Sequence, residues 1–231
     1  MHTRLRFSLT ALGVAAFALL ADPQHASAGM IYSQPTNEAN GFASQNDTSG
    51  GLGNYATVYD DFTLPAAAIV TGVEWDGVFF NFRILGTITQ FTLAFYANNA
   101  GTPGTLLLSE STPGNANQTS LGTVNVIDPL FSYSATLPTP FAASAGTEYW
   151  LSIVPDLGFP PQWAWAEGTG GTGTAYQVFR GRPINLGNDV AFSLDGNLVS
   201  SAPAPPSVIP LLTGALGLLG YGWRRRRRPA A

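Results

Sequence analysis

Residues 91–96 read Phe-Thr-Leu-Ala-Phe-Tyr, which puts Phe91, Leu93 and Phe95 on one side of an extended chain and Thr92, Ala94 and Tyr96 on the other. Val73 and Trp75 oppose Glu74 and Asp76 in the same way. A period of two marks a sheet with one buried face. Runs rich in Val, Ile, Thr and aromatics are separated by clusters of Gly, Pro, Asn and Asp, which punctuate strands. Strands are predicted at Tyr55–Leu64, Ile69–Asn81, Ile88–Ala97, Thr105–Ser111, Gly122–Ile127, Phe131–Leu137, Glu148–Val154, Gln162–Glu167, Ala175–Phe179 and Asp189–Leu194. No stretch of the body keeps a 3.6-residue period beyond two turns; Pro65–Ile69 is too short. The pattern predicts an all-β fold, a single jelly-roll-like β-sandwich over 55–202, with a closed barrel as the alternative. Residues 29–54 are polar and predict a partly ordered arm with an edge strand at Met30–Ser33. The loop at Glu167–Tyr176, rich in Gly and Thr, reads as mobile rather than ligand-binding.

The side-chain inventory removes whole classes of chemistry. All ten cations are arginines, there is no cysteine, and both histidines, His2 and His25, precede residue 29. Residues 29–202 therefore hold no His, Cys or Lys. No Ser-His-Asp or Cys-His triad can be built, no Schiff-base lysine exists, and zinc, copper or iron sites based on imidazole or thiolate are excluded. Arg83, Arg180 and Arg182 face 13 acids in that span, so its formal charge is 3 − 13 = −10. Such a surface repels phosphate backbones, so nucleic acid is not an expected partner.

Both ends carry targeting features. Arg4 and Arg6 precede an apolar run, Phe7–Ala21, and Ala26 and Ala28 stand at −3 and −1 of a cleavage site. This is the plan of a secretory signal peptide over 1–28, an apolar helix implying the Sec translocon and signal peptidase as partners. The run is shorter than the ~20 residues of a spanning helix. At the other end, Pro203–Ser207 is a stiff spacer, Val208–Trp223 is uncharged, and Arg224, Arg225, Arg226, Arg227 and Arg228 follow. As a short apolar helix those 16 residues span about 24 Å against a core of ~30 Å, so they thread a bilayer but anchor it poorly. The arginines would act as a cytoplasmic stop-transfer cluster.

The ending, "APAPPSVIPLLTGALGLLGYGWRRRRR" behind a signal peptide, resembles the PEP-CTERM class of exosortase-sorted bacterial proteins. Pro203, Ala204, Pro205 and Pro206 occupy the sorting motif. The glutamate of Pro-Glu-Pro is absent, and the stretch is closer to the related variant with a Val-Pro-Leu-Pro-Ala motif. The resemblance implies transient membrane insertion, an exosortase-type processing enzyme, removal of the tail near the prolines, and delivery to the outer envelope or medium of a Gram-negative bacterium. It also implies association with exopolysaccharide and biofilm. A plain single-pass anchor is the alternative. The body, through "YDDFTLPAAAIVTGVEWDG", "FTLAFYANNAGTPGTLL" and "AGTEYWLSI", resembles a recurring exported β-sandwich without assigned activity.

Two constellations are candidates for ligand contact. No cofactor is expected beyond a candidate structural Ca²⁺, to which Asp60, Asp61, Asp76 and Asp189 could supply oxygens; the acidic composition is compatible with calcium or other hard cations. Adjacent Asp60 and Asp61 point to opposite faces of a strand unless a bulge intervenes. Trp163 and Trp165, two apart, share a face and could stack a sugar ring or serve as core. The sequence thus favours a non-enzymatic exported surface or matrix protein. A carbohydrate-binding module comes second, and a hydrolase with paired carboxylates third.

Overall fold

A computed structural model describes residues 28–80 and 85–199, and every regular element among them is a strand. In chain order these are β1 (Gly29–Gln34), β2 (Thr36–Ala43), β3 (Gln45–Asp47), β4 (Gly53–Thr63), β5 (Ala68–Phe80), β6 (Gln90–Asn98), β7 (Pro103–Pro113), β8 (Thr119–Val124), β9 (Asp128–Ala143), β10 (Glu148–Leu157), β11 (Gln162–Gly168), β12 (Tyr176–Phe179), β13 (Arg182–Asn185), β14 (Asp189–Val190) and β15 (Phe192–Leu198). They form two sheets, one of eight strands and one of seven, packed face to face as a β-sandwich. Among the described residues no helix is long and apolar enough to cross a membrane. The expected signal helix and C-terminal helix, with Ala26, Pro203–Pro206 and Arg224–Arg228, lie outside the described residues. Ala28 is exposed and directly precedes β1.

β5 is the spine of the eight-stranded sheet. One of its edges pairs with β9; the other pairs with β15 along Ala68–Trp75 and with β11 along Gly77–Phe80. Its alternation changes parity midway. Ala68 and Val70 are buried, then Val73, Trp75 and Phe79. The pairings with β9 and β15 both slip at Val70–Gly72, so an extra residue resets which side faces the core. The seven-stranded sheet runs β13-β12-β4-β3-β10-β6-β7. Its inward residues (Val58 and Phe62 of β4, Phe91, Leu93 and Phe95 of β6, Leu151 and Ile153 of β10) meet Trp75, Tyr133, Trp163 and Trp165 of the other sheet in one core. Phe95 stacks on Phe141 at 4.4 Å, and Phe91 meets Trp75 edge-on at 5.0 Å. Each fully buried large side chain of this kind contributes about 1.5–3 kcal/mol.

The polar arm expected over 29–54 is instead structural. β1 pairs with β15, β2 with β11, and β3 joins β4 and β10 in the other sheet. Its polar side chains are used inward. Gln45 is fully buried; its amide nitrogen donates to the Leu157 and Pro161 carbonyls at 3.0 and 3.2 Å, and its oxygen accepts from the Trp163 N–H at 2.7 Å. Asp47 accepts from the backbone N–H of Ser49, Leu52 and Phe159. Polar composition suppresses a hydrophobic signal but does not prevent a strand whose donors and acceptors are satisfied.

Candidate functional site

The outer face of the seven-stranded sheet carries the groove of interest. Where Val58, Phe62, Leu93, Phe95, Leu151 and Ile153 point in, their neighbours Thr57, Tyr59, Thr92, Ala94, Tyr96, Ser152 and Val154 must point out. These residues, with Asn46, Asn54, Leu106, Ser109 and Asp156, line an open depression of about 240 Å³. Register fixes the layout. Tyr59 of β4 lies opposite Ser152 of β10, which lies opposite Ala94 of β6. Tyr176 of β12 lies opposite Tyr59.

One end of the groove is aromatic. The Tyr59 ring meets Tyr96 edge-on at 5.4 Å and Tyr176 at 6.3 Å. Burial, helped by the neighbouring Tyr96 and Tyr176 phenols, pushes Tyr59 up to about 12, so it stays a neutral hydrogen-bonding group at physiological pH. Trp150 also faces outward but is covered, its indole N–H donating to Asn98 Oδ1 at 3.2 Å. The other end is polar. Asp156 accepts from the Asn46 amide at 2.7 Å and from the Gln90 amide at 2.6 Å, one on each carboxylate oxygen. Asn54 Oδ1 accepts from Thr57 at 3.2 Å.

The Gly/Thr loop that follows β11 reaches over this face. Asp61 alternates outward from Asp60, and its Oδ1 accepts from the hydroxyls of Thr172 and Thr174. From the other sheet, Asp189 accepts from Gly171 N–H at 2.9 Å and Gly173 N–H at 2.6 Å. Gly171 has no room for a side chain: a Cβ there would lie 2.7 Å from Asp189 Oδ1. The loop is therefore clamped by two carboxylates, in contrast to the mobile segment its composition suggests.

Of the four aspartates grouped as a calcium candidate, Asp76 stands apart from Asp60, Asp61 and Asp189. Asp60 points between the sheets, fully buried, and accepts from Val190 N–H at 2.7 Å. In the orientation that satisfies its neighbours, the Gln34 amide nitrogen donates to Asp60 at 2.8 Å while its oxygen accepts from the Tyr32 hydroxyl. Burial drives the Asp60 carboxyl well above the usual carboxylate range, with Asp189 and Asp61 adding to it. Asp61 faces the opposite side, as alternation requires. Asp76 lies on the outer face of the eight-stranded sheet, pushed up to about 6 by burial and by Glu74 and Glu38. Among the described residues no three acidic side chains are placed to hold a metal ion.

Trp163 and Trp165 do share a face, and it is the inner one. Both are fully buried. Trp163 packs on Phe91 at 5.6 Å and its N–H donates to the Tyr133 hydroxyl at 3.3 Å; the Trp165 N–H donates to the Ala191 carbonyl at 2.8 Å. They cannot be a stacking platform, because β11 is an inner strand whose alternation turns its indoles into the core between the sheets. The outward tyrosines were the missed signal. Tyr96 and Tyr59 stand at the polar parity of their strands, where an aromatic side chain has no core to fill.

A family model described as a domain of unknown function, DUF7901, matches residues 30–176. The chain belongs to that family. No curated protein matches it. The DUF7901 segment takes in β1 to β11 and the first residue of β12, so every groove-lining residue falls inside it. Asp189, which clamps the Gly/Thr loop, and β15, which pairs with both β1 and β5, fall outside.

Proposed function

We propose that this DUF7901 protein is an exported, non-enzymatic surface or matrix protein, sorted through its C-terminal signal, whose jelly-roll-like sandwich binds polysaccharide in the groove on its seven-stranded sheet. The observation that carries the binding reading is the pairing of Tyr59 and Tyr96 (Tyr176 packs beside Tyr59) with Asn, Ser, Thr and Asp side chains in one open depression. Phenol rings cover the C–H face of a sugar while amides and carboxylates meet its hydroxyls. An open groove also suits a polymer that runs through. Asp156 is the one carboxylate lining it, which supports binding over hydrolysis by a facing pair of acids. The leader ending at Ala28 and the tail from Pro203 to Arg228 support export and sorting.

The test of binding is affinity electrophoresis of the full chain, in detergent, through gels containing soluble polysaccharides. Tyr96→Ala and Tyr59→Ala should lose retardation while keeping the wild-type melting temperature. Retardation that survives both substitutions would place binding elsewhere. Sorting is tested by intact mass from the native envelope and medium. A product from Gly29 to within Pro203–Ser207 supports it, and a product retaining Arg224–Arg228 replaces it with a plain anchor.

A further inference from the structure

We infer, resting on the groove reading above, that the groove selects an uncharged, hydroxyl-rich glycan and rejects uronate- or sulfate-bearing polymers, with Asp156 as the specificity-determining residue. The argument begins with the charges. Among the described residues no cation lines the groove, and Asp156 is its only ionisable carboxylate. The two arginines among the described residues, Arg180 and Arg182, sit at the turn between β12 and β13, where the Arg180 guanidinium rests over Phe179 at 5.8 Å. An anionic sugar seated near Asp156 would meet like charge, with no cation among the described lining residues to offset it. The same sign extends over the whole body, at −10 for residues 29–202, so the long-range field opposes anionic polymers as well.

The donors and acceptors point the same way. Each Asp156 oxygen takes one amide N–H, from Asn46 or Gln90, and keeps a free lone pair. A carboxylate held rigid on two sides is built to accept a pair of adjacent hydroxyls, and a hydroxyl is the donor an uncharged sugar offers most. The amide oxygens of Asn46 and Gln90 add further acceptors beside it. Across β10, Ser152 donates to Tyr96 at 3.5 Å; Val154, paired with Thr92, lies between the carboxylate and the rings, Ala94 stands level with Tyr59, and Leu106 stands level with Tyr96. The order along the groove is acceptor, a Val154–Thr92 step, then tyrosine rings flanked by Ala94 and Leu106. That matches a hexose unit with hydroxyls at its rim and C–H bonds on its face.

The experiment runs the full chain in detergent through gels of matched polymers: galactomannan and hydroxyethyl cellulose as neutral probes, alginate and polygalacturonate as acidic ones, each at low and high salt. The inference expects retardation by a neutral polymer and none by the acidic pair at either salt. Asp156→Asn should weaken neutral binding about tenfold or more, since it removes charge-assisted acceptance, and should narrow the gap between neutral and acidic probes. Retardation by alginate or polygalacturonate that Tyr96→Ala abolishes would overturn the charge selection and leave the groove standing. Retardation by no polymer would overturn both. An Asp156→Asn protein with wild-type melting and wild-type discrimination would remove Asp156 from the role.

Discussion

Gly77→Ala tests whether the tryptophans of β11 are core. A Cβ added at Gly77 would stand 2.2 Å from Trp163 Cζ2, 2.5 Å from Cε2 and 2.6 Å from Nε1. Carbon atoms in contact sit about 3.5–4.0 Å apart, so the indole would have to retreat by more than an ångström. It has nowhere to go. Phe91 stands at 5.6 Å and Tyr133 at 6.0 Å, and the indole N–H is bonded to the Tyr133 hydroxyl. Overpacking of this kind costs about 3 kcal/mol, which lowers the melting temperature of a chain this size by about 6–12 °C. Urea unfolding followed by tryptophan fluorescence reads the cost. Trp163→Phe alone should cost about 1–2 kcal/mol through the void it leaves. The double variant should be more stable than the sum of the two by about 1.5 kcal/mol or more, because the smaller ring makes room for the methyl. Additive costs, or a Gly77→Ala protein within about 0.5 kcal/mol of wild type, would refute the seating of Trp163 on Gly77.

Three further outcomes are expected. Asp60 and Asp76 both have folded-state pKa values raised above the unfolded carboxylate, so the folded chain binds protons more tightly. Their contribution to stability is fully present below the unfolded carboxylate pKa of about 4, and the Asp76 share is lost as pH rises through about 6. The urea midpoint should climb between pH 8 and pH 5, with the step near pH 6 missing in Asp76→Asn; a midpoint flat across that range contradicts the burial of these groups. Asp189→Ala should release the Gly/Thr loop, costing about 2 kcal/mol for two charge-assisted bonds and opening Thr169–Thr174 to protease; resistance equal to wild type would show that the clamp lies elsewhere. Gly196→Ala would push a methyl to 2.2 Å from the Ile69 carbonyl oxygen, where backbone cannot yield, so no cooperative unfolding transition should remain.

The sheet was readable where alternation was strong. Phe91-Leu93-Phe95 and Tyr149-Leu151-Ile153 face the core as a period of two requires. The edge strand at Met30–Ser33 was readable and is β1, but β2 and β3 were not, because Ser44, Gln45 and Asp47 meet buried backbone groups there in place of apolar side chains. A pair of aromatics two apart marks one face of a strand but not which face, so Trp163 and Trp165 could only be placed once β11 had neighbours on both sides. The same limit hid the groove. Asn46, Tyr59, Tyr96 and Asp156 are scattered over four strands, and only the register of β3, β4, β6 and β10 gathers them. Asp60 carried a legible warning, since it stands at the inward parity between Val58 and Phe62; its partners Gln34 and Val190 did not.

β15 lies between β1 and β5. The strand that links the first described strand to the spine of its sheet is thus the last of the described strands to be made. A polypeptide emerging amino end first, from a ribosome or through a translocation pore, must hold Gly29–Gln34 without its partner until Phe192–Leu198 has followed. Pairing across such a separation carries a large loop-closure cost and folds slowly. The order of strands therefore delays closure of this sheet until Phe192–Leu198 has emerged.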